Sequence, residues 1–414
     1  MKISKSIFNK GLVLFLKVFS MGIKFLFFTI FLPKKMLVAD YGDLSLLVTT
    51  ITFFIYLVGF DFYNYAHRDF ISDSQEKIAL KLFNQLVFSL LLFIVSFPLF
   101  YVSMSYNNLP YIFIVYLLLF TEYFGQELYR LLVLFSRPVL ANFIMFFRSS
   151  FWIIVLVLIS RYNEDSIEIF DIITYWLFSN VILVLLCFVL TFSFGYVNLK
   201  ELYIDRTWIT KGFLISIPFL LSTITLKIIE LSDRYIIGYF YSNIEVGIYS
   251  FYANISNSLN VVINTAVVIM LYPKILKAFK ENDKAKLKVL IRSYKKEMII
   301  FLSISVILLL VFLHPVLNWI GKSEYSTELD TYVILLLANV FFNLSLIPHI
   351  ILYALHKDSY LIKPVIYACI INVVLNFILL PNLGLIGAGI STFASFFLIF
   401  VMKFLYVKKL KLDI

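Results

Sequence analysis

Charge is scarce in this 414-residue chain: Lys, Arg, Asp and Glu together make up 14% of it, against ~25% in a typical soluble domain. Apolar residues reach 62% and the mean hydropathy is +0.94, so a water-exposed fold would leave too much apolar surface uncovered. Cysteine is almost missing. Cys187 and Cys369 lie far apart inside apolar runs and give neither a disulfide framework nor a thiolate metal site. The four histidines, His67, His314, His349 and His356, lack metal-ligand spacing, and no metal is expected. Nucleotide chemistry is missing too. Gly321-Lys322-Ser323 ends like a phosphate loop, but Val316 stands where that loop needs glycine. Gly384, Gly387 and Gly389 follow no strand and read as close helix packing. Aromatics are abundant, with 45 Phe and 27 Tyr, but an AT-rich coding sequence also yields that bias, so it does not by itself signal sugar platforms.

Long apolar runs are what the chain does have. Bounded by charges or by Pro, Gly and Asn clusters, they predict helices near residues 11–32, 43–62, 82–105, 110–131, 139–160 and 172–195, then 211–239, 246–272, 297–318, 330–355, 361–380 and 385–406. The first run follows Lys2, Lys5 and Lys10 but is too long for a cleaved signal and lacks a small-residue cleavage site. Lys and Arg outside the runs divide 26 to 4 between alternate sides, the four being Lys34, Lys35, Arg161 and Lys322. Cationic loops stay in the cytoplasm, so both termini are expected there, with an even number of spans. The net charge of +10 is then mostly topology rather than a nucleic-acid surface. Its largest share lies in the loop from Pro273 to Glu297, where Leu287, Leu290, Ile291, Tyr294 and Met298 recur at helical spacing. This predicts a basic amphipathic helix lying on the anionic lipids of the inner leaflet, with partner docking as the alternative.

The chain repeats itself. Tyr41-Gly42-Asp43-Leu44-Ser45 opens the second span and Val246-Gly247-Ile248-Tyr249-Ser250 the eighth, 205 residues later. Each follows a span with two cations seven residues apart, Lys17 and Lys24 in one case, Lys227 and Arg234 in the other. Lys24 lies 18 residues before Gly42 and Lys227 lies 20 before Gly247, which puts the two cations within ~3 Å in depth. Six spans per half keep the repeats in one orientation. The expectation is an all-α membrane protein with lobes at residues 1–200 and 201–414 and a site between them, the plan of an alternating-access transporter.

Several stretches carry a family resemblance. Asp233-Arg234-Tyr235-Ile236-Ile237-Gly238-Tyr239 with Glu245 to Ser250, Asn372-Val373-Val374-Leu375-Asn376 with Leu380 to Thr392, and Leu32-Pro33, Tyr41-Gly42, Gly59 to Tyr65 and Arg68 resemble polysaccharide transporters. These belong to the multidrug/oligosaccharidyl-lipid/polysaccharide (MOP) exporter superfamily. The resemblance implies a MATE-like fold and a Wzx-type flippase. Such a flippase moves polyprenyl-pyrophosphate-linked O-antigen or capsule units, of the undecaprenyl type, from the inner to the outer leaflet of the bacterial cytoplasmic membrane. It further implies a monomer among membrane lipids, working beside a polysaccharide polymerase and a chain-length regulator. Two other readings are a multidrug exporter of the same superfamily, disfavoured by the surplus of intramembrane cations, and an O-antigen polymerase, disfavoured by the lack of a large exterior loop.

Five cations lie within spans: Lys17, Lys24, Arg148, Lys227 and Arg234. Each costs roughly 2.5–3.5 kcal/mol at a helix centre and should face a cavity or a partner. An anionic head group would find its donors there. Internal salt bridging is the competing reading, with Glu230 placed to neutralise Lys227 or Arg234. Glu122 has no sequence-local partner and is the candidate carboxylate for H⁺ or Na⁺ coupling, unless Arg148 bridges to it. Asp61, Glu230 and Asp233 join it as coupling or gating candidates. Asn254 and Asn257 belong to an amide stripe with Ser250, Asn260 and Asn264, facing sugar hydroxyls or neighbouring helices. Asn339, Asn343, Asn372 and Asn376 read as packing contacts, and no catalytic residue is expected.

Overall fold

The computed structural model describes residues 2–70, 74–160, 167–193 and 202–410. Regular structure there is helical. The first span is α1 (Lys2–Leu26) continued through a π-helical turn at Phe27–Phe31 into α2 (Leu32–Lys35). Next come α3 (Val38–Gly59), the short α4 (Tyr63–Phe70), α5 (Gln75–Tyr106) and α6 (Ile112–Leu134). A second π-helical turn, Phe147–Phe151, joins α7 (Pro138–Phe146) to α8 (Trp152–Ile159), and α9 (Ile169–Ser193) follows. After α10 (Arg206–Phe240), α11 (Asn243–Ile263) continues through a third such turn, Asn264–Val268, into α12 (Ile269–Lys280). The chain closes with α13 (Lys284–Ile320), α14 (Leu329–Leu344), α15 (Leu346–Ala354), α16 (Asp358–Leu383) and α17 (Leu385–Lys409).

Ten of these segments are long and apolar enough to cross a membrane. The other two expected spans are α9, apolar over Ile169–Leu185, and α6, whose 23 residues include Glu122, Glu127 and Arg130. With these two, about twelve membrane helices are accounted for among the described residues; α9 falls short in its described apolar length, and α6 in apolarity because it carries Glu122, Glu127 and Arg130. Local chemistry sets the ends. Pro33 and Pro138 sit in first turns, Ser242 and Glu245 form a capping box on α11, and Asp283 accepts from the Lys286 amide at 3.0 Å to start α13. Between α16 and α17 the backbone reaches φ +62° and ψ −149°, a region open to Gly384 and closed to residues with a side chain.

Contacts gather the chain into two compact units, Met1–Phe28 with Leu46–Ile224, and Thr29–Ser45 with Thr225–Ile414. In the first, Phe62, Tyr65, Ala66, Phe70, Phe88 and Trp208 form a buried cluster. Gly212 of α10 packs so tightly there that a Cβ would lie 2.5 Å from the Phe62 ring. In the second, Ile229, Ala338, Val365, Ala368, Phe396 and Ile399 form the core. The start of α3 packs on α11 in that unit, and the two repeat motifs meet. A Cβ on Gly42 would stand 1.9 Å from the Asn243 carbonyl oxygen, and one on Gly247 2.3 Å from that of Val38.

One sequence expectation is corrected. The basic stretch from Pro273 to Glu297 is no separate helix on a lipid surface. It is the end of α12, a turn at 281–283 and the start of α13. The helical spacing is real, but Leu287, Ile291, Tyr294 and Met298 are buried, and α12 and α13 pack together. An apolar stripe covered by a neighbouring helix has no need of lipid. Arg161 and the side chains of Lys2, Lys5, Lys10 and Cys187 fall outside the described residues.

Candidate functional site

The charges singled out from sequence fall into two sets, one per unit. In the first, Glu122 of α6 sits under converging donors. Trp176 Nε1 at 3.2 Å and Asn180 Nδ2 at 2.9 Å, both from α9, donate to its Oε2. Arg148 Nε lies 3.0 Å from its Oε1. The arginine comes from the π-helical turn, a helix defect that recurs at functional sites. Gly125, one turn along α6, leaves room for it: a Cβ there would be 3.0 Å from Arg148 Cδ. Lys24 is solvent-accessible and within the electrostatic field of both Glu122 and Arg148. Two cations thus face one carboxylate. The Arg148 bridge, one of the two sequence readings of Glu122, is what the structure holds.

The same region gathers polar atoms without hydrogen-bond partners, namely Arg148 Nη1, Asn180 Oδ1, Trp152 Nε1 and Ser20 Oγ, all buried. Trp152 stacks on Trp176 at 5.4 Å, and Ser150 donates to the Ser20 carbonyl at 3.0 Å, so these groups are neighbours. Such a collection suits a polar ligand better than a closed core. Lys17, two turns before Lys24, is half-buried, with no carboxylate in ion-pair range among the described residues.

Farther along the same unit, Asp61 is buried just past α3 and accepts from Thr223 Oγ1 of α10 at 2.5 Å. Phe60 and Asp61 both adopt φ +50°, which costs non-glycine residues about 1–3 kcal/mol each and marks a backbone held by its surroundings. Glu127 pairs with Arg130 at 2.5 Å and accepts from Gln85 at 2.9 Å, while Arg130 lies 3.8 Å above the Tyr63 ring. In α4, outside the spans, burial and then the Arg130 charge push the His67 imidazole down to about 4. Burial alone would raise the Asp69 carboxyl, but donors from Lys81 at 2.7 Å and Trp208 at 2.8 Å outweigh it and hold the group below the usual range.

In the second unit, Glu230 neutralises Lys227 at 2.6 Å and offers Arg234 its backbone carbonyl at 3.1 Å. Arg234 is buried and also donates to Ser250 at 3.1 Å and Asn254 at 3.5 Å, and Asn254 in turn donates to Tyr41 at 3.1 Å. The amide stripe of α11 divides here. Asn260 is occupied by Asn339 and Asn343 of α14, whereas Asn257 is half-buried and Asn264 exposed. Asp233 is fully enclosed and accepts from Tyr249, from Asn376 at 2.7 Å and from Thr392 at 2.6 Å. Asn376 is thus a partner of a buried carboxylate rather than a plain packing contact, and Asn372 accompanies it through Ser232 at 3.3 Å.

Sequence reasoning missed Trp176, Asn180, Tyr249 and Thr392 as carboxylate partners. The last two stand inside the quoted repeat and junction motifs, which was a usable signal; Trp176 and Asn180 gave none. It also left Lys403 out of the cations within spans, but that lysine is buried within α17. Among the described residues, no cluster of His, Cys, Asp and Glu could hold a metal ion.

The comparisons with known proteins agree with this architecture. Residues 8–279 match the family described as "Polysaccharide biosynthesis protein". Among solved structures, an inward-facing multidrug resistance MATE family transporter of the MOP superfamily superposes with a TM-score of 0.70 at 14% identity, over 95% of this chain and 94% of that one. The lipid II flippase MurJ in an inward closed conformation gives 0.70 at 13% identity, over 97% and 87%. A point mutant of the Vibrio cholerae MATE transporter VcmN gives 0.62 at 12% identity, over 97% of each chain. At such identities the likeness establishes the fold. No curated protein matches the sequence.

Proposed function

Since the chain belongs to the family described as "Polysaccharide biosynthesis protein", we propose that it is a membrane transporter of the MOP superfamily that flips polyprenyl-pyrophosphate-linked oligosaccharide units from the inner to the outer leaflet of the bacterial cytoplasmic membrane. O-antigen or capsule assembly is the pathway class this serves. The carrying observation is the surplus of cation over carboxylate around Arg148 and the solvent-accessible Lys24, beside buried donors without partners. A pyrophosphate supplies the charge and acceptors that such a surplus needs. Lys17 adds a further cation in the first unit; in the second unit, taken by itself, Lys227, Arg234, Asn254 and Asn257 are the substrate contacts we assign, with the amides toward sugar hydroxyls. Asp233 is the carboxylate we assign to cation coupling. It is enclosed and carries three side-chain donors, and a cation bound there would compete with them. The hydrogen-bonded Asp61 and the paired Glu230 are assigned to gating.

The polysaccharide biosynthesis family supports a lipid-linked glycan over a drug, whereas the fold does not choose between them: the lipid II flippase MurJ and a multidrug MATE transporter superpose equally well. An excess of intramembrane cations also disfavours cationic drugs. Deletion of the gene should leave complete repeat units on the lipid carrier and none at the cell surface, measured by mass spectrometry of lipid-linked oligosaccharides and by surface glycan profiles. Lys24→Ala and Arg148→Ala, present in the membrane at normal level, should fail to restore export. Single repeat units on the surface of the deletion strain would point to a polymerase, and an unchanged profile would move drug or ion antiport to the front.

A further inference from the structure

Lys403 lies within α17, 5% exposed, in the second unit. Its Nζ is 3.2 Å from Nδ1 of His349 on α15, and the two helices pack against each other. Among the described residues no carboxylate lies within ion-pair distance of it. The helices packed on α17 also carry Asp330, Asp358, Lys363 and Cys369, none of which hydrogen-bonds or ion-pairs with Lys403 among the described residues, and aromatic rings stand around the pair. Tyr353 of α15 stacks on His349 at 6.4 Å, Tyr272 of α12 lies 5.8 Å behind Tyr353, and one turn along α17 Tyr406 stacks on Tyr360 of α16 at 4.4 Å. From α14 come the amides of Asn339 and Asn343, already bonded to Asn260.

An ammonium has three donors and a full charge, whereas one imidazole nitrogen accepts a single hydrogen bond and carries no charge to neutralise it. A buried cation without a counter-charge is costly inside a membrane protein and stays where it has a task. The arrangement is sound in both protonation states. With the proton, the lysine ammonium donates to Nδ1. Without it, the neutral amine still donates one N–H to the same nitrogen, and no unpaired charge is left behind. The imidazole is therefore a fixed acceptor beside a group that can gain or lose a proton without losing its partner.

We propose that Lys403 and His349 form a proton-binding site in the second unit, taking one proton from water and returning it as the solvent exposure of that unit changes. Nothing in this requires the substrate to be known. Its coupling to export rests on the transporter reading above.

The direct test is a potentiometric titration of the full-length chain in lipid nanodiscs, beside Lys403→Met and Lys403→Arg. A lysine at its ordinary pKa of about 10.4 keeps its proton through the neutral range, so replacing it would leave the neutral part of the curve unchanged. A titrating site makes the wild type release one proton more than either variant across the neutral range. Superimposable curves overturn the proposal. Should Lys403→Met fail to fold, Lys403→Arg preserves length and charge and serves alone. His349→Gln should move the midpoint by about one pH unit, a tenfold change in proton affinity, and an unmoved midpoint would overturn the pairing. Export in cells across external pH then addresses coupling: Lys403→Arg should flatten a dependence that the wild type shows. An equally pH-dependent variant severs the link to transport while the titration result stands, and a wild type without export overturns the transporter reading instead.

Discussion

The Glu122–Arg148 pair shows how a side chain's partners decide its role. A carboxylate with no local partner in sequence is a candidate for ion coupling, but here α9 aims two donors at it and the π-helical turn brings the Arg148 guanidinium into ion-pair contact. With its side chain 10% exposed and that of Arg148 20% exposed, the pair lies where breaking one partner leaves the other charge uncompensated. Glu122→Gln should therefore destabilise the protein by about 2–4 kcal/mol, because Arg148 loses its counter-charge while the shape of the side chain is kept. Arg148→Met in the same chain should recover part of that loss, a coupling of about 1–3 kcal/mol in a double-mutant cycle read by thermal unfolding in detergent. Additive effects would mean that the two charges are separately solvated. Asp233 differs in that its partners are all neutral donors.

At the level of helices, close approach is set by glycine. Gly42 and Gly247 stand where α3 meets α11, each facing a backbone carbonyl that cannot move aside as a side-chain tip can. Gly22 in α1 has nothing within 4 Å of where its Cβ would be. The same substitution should thus have opposite signs. Gly22→Ala should be neutral or stabilise by up to ~1 kcal/mol from helix propensity, whereas Gly42→Ala must push two helices apart and should destabilise by more than that gain. Melting temperatures of the two variants decide it, and a Gly42→Ala protein as stable as the wild type would show that the contact is not maintained. The repeat was legible in sequence because its signature is short and its glycines are forced. Which helices those glycines join was not legible, since a motif names a residue that needs room and not the neighbour that takes it. The amphipathic stripe from Leu287 to Met298 failed for a related reason. Periodicity identifies a face that must be covered, but α12 and a lipid leaflet cover an apolar stripe equally well on paper.

For the whole molecule, composition alone specified an all-α membrane protein, because helices satisfy every backbone group where water is absent. Twelve spans followed from run length. The carboxylate networks did not follow, since Trp176, Asn180 and Thr392 reach Glu122 and Asp233 across 54 to 159 residues of sequence. Outside the spans the fold also fixes how overall stability answers to pH. His67 is held neutral down to about 4, while in an unfolded chain it would take a proton below about 6.5. In the interval between, the unfolded state binds more protons than the folded one, so stability falls as the pH is lowered through it. Asp69, held below its usual range by Lys81 and Trp208, adds stability that is present above about 3.9 and lost on further acidification. Thermal unfolding as a function of pH should accordingly be level above about 6.5 with respect to these groups and decline in two stages below it. His67→Phe removes the first stage because the variant has no proton to bind in either state, and it keeps the aromatic contacts to Tyr63 and Phe70. Lys81→Met weakens the second by removing one of the two donors that hold Asp69 ionised. A His67→Phe protein that still declines between about 6.5 and 4 would place that proton uptake on another group and release His67 from this role.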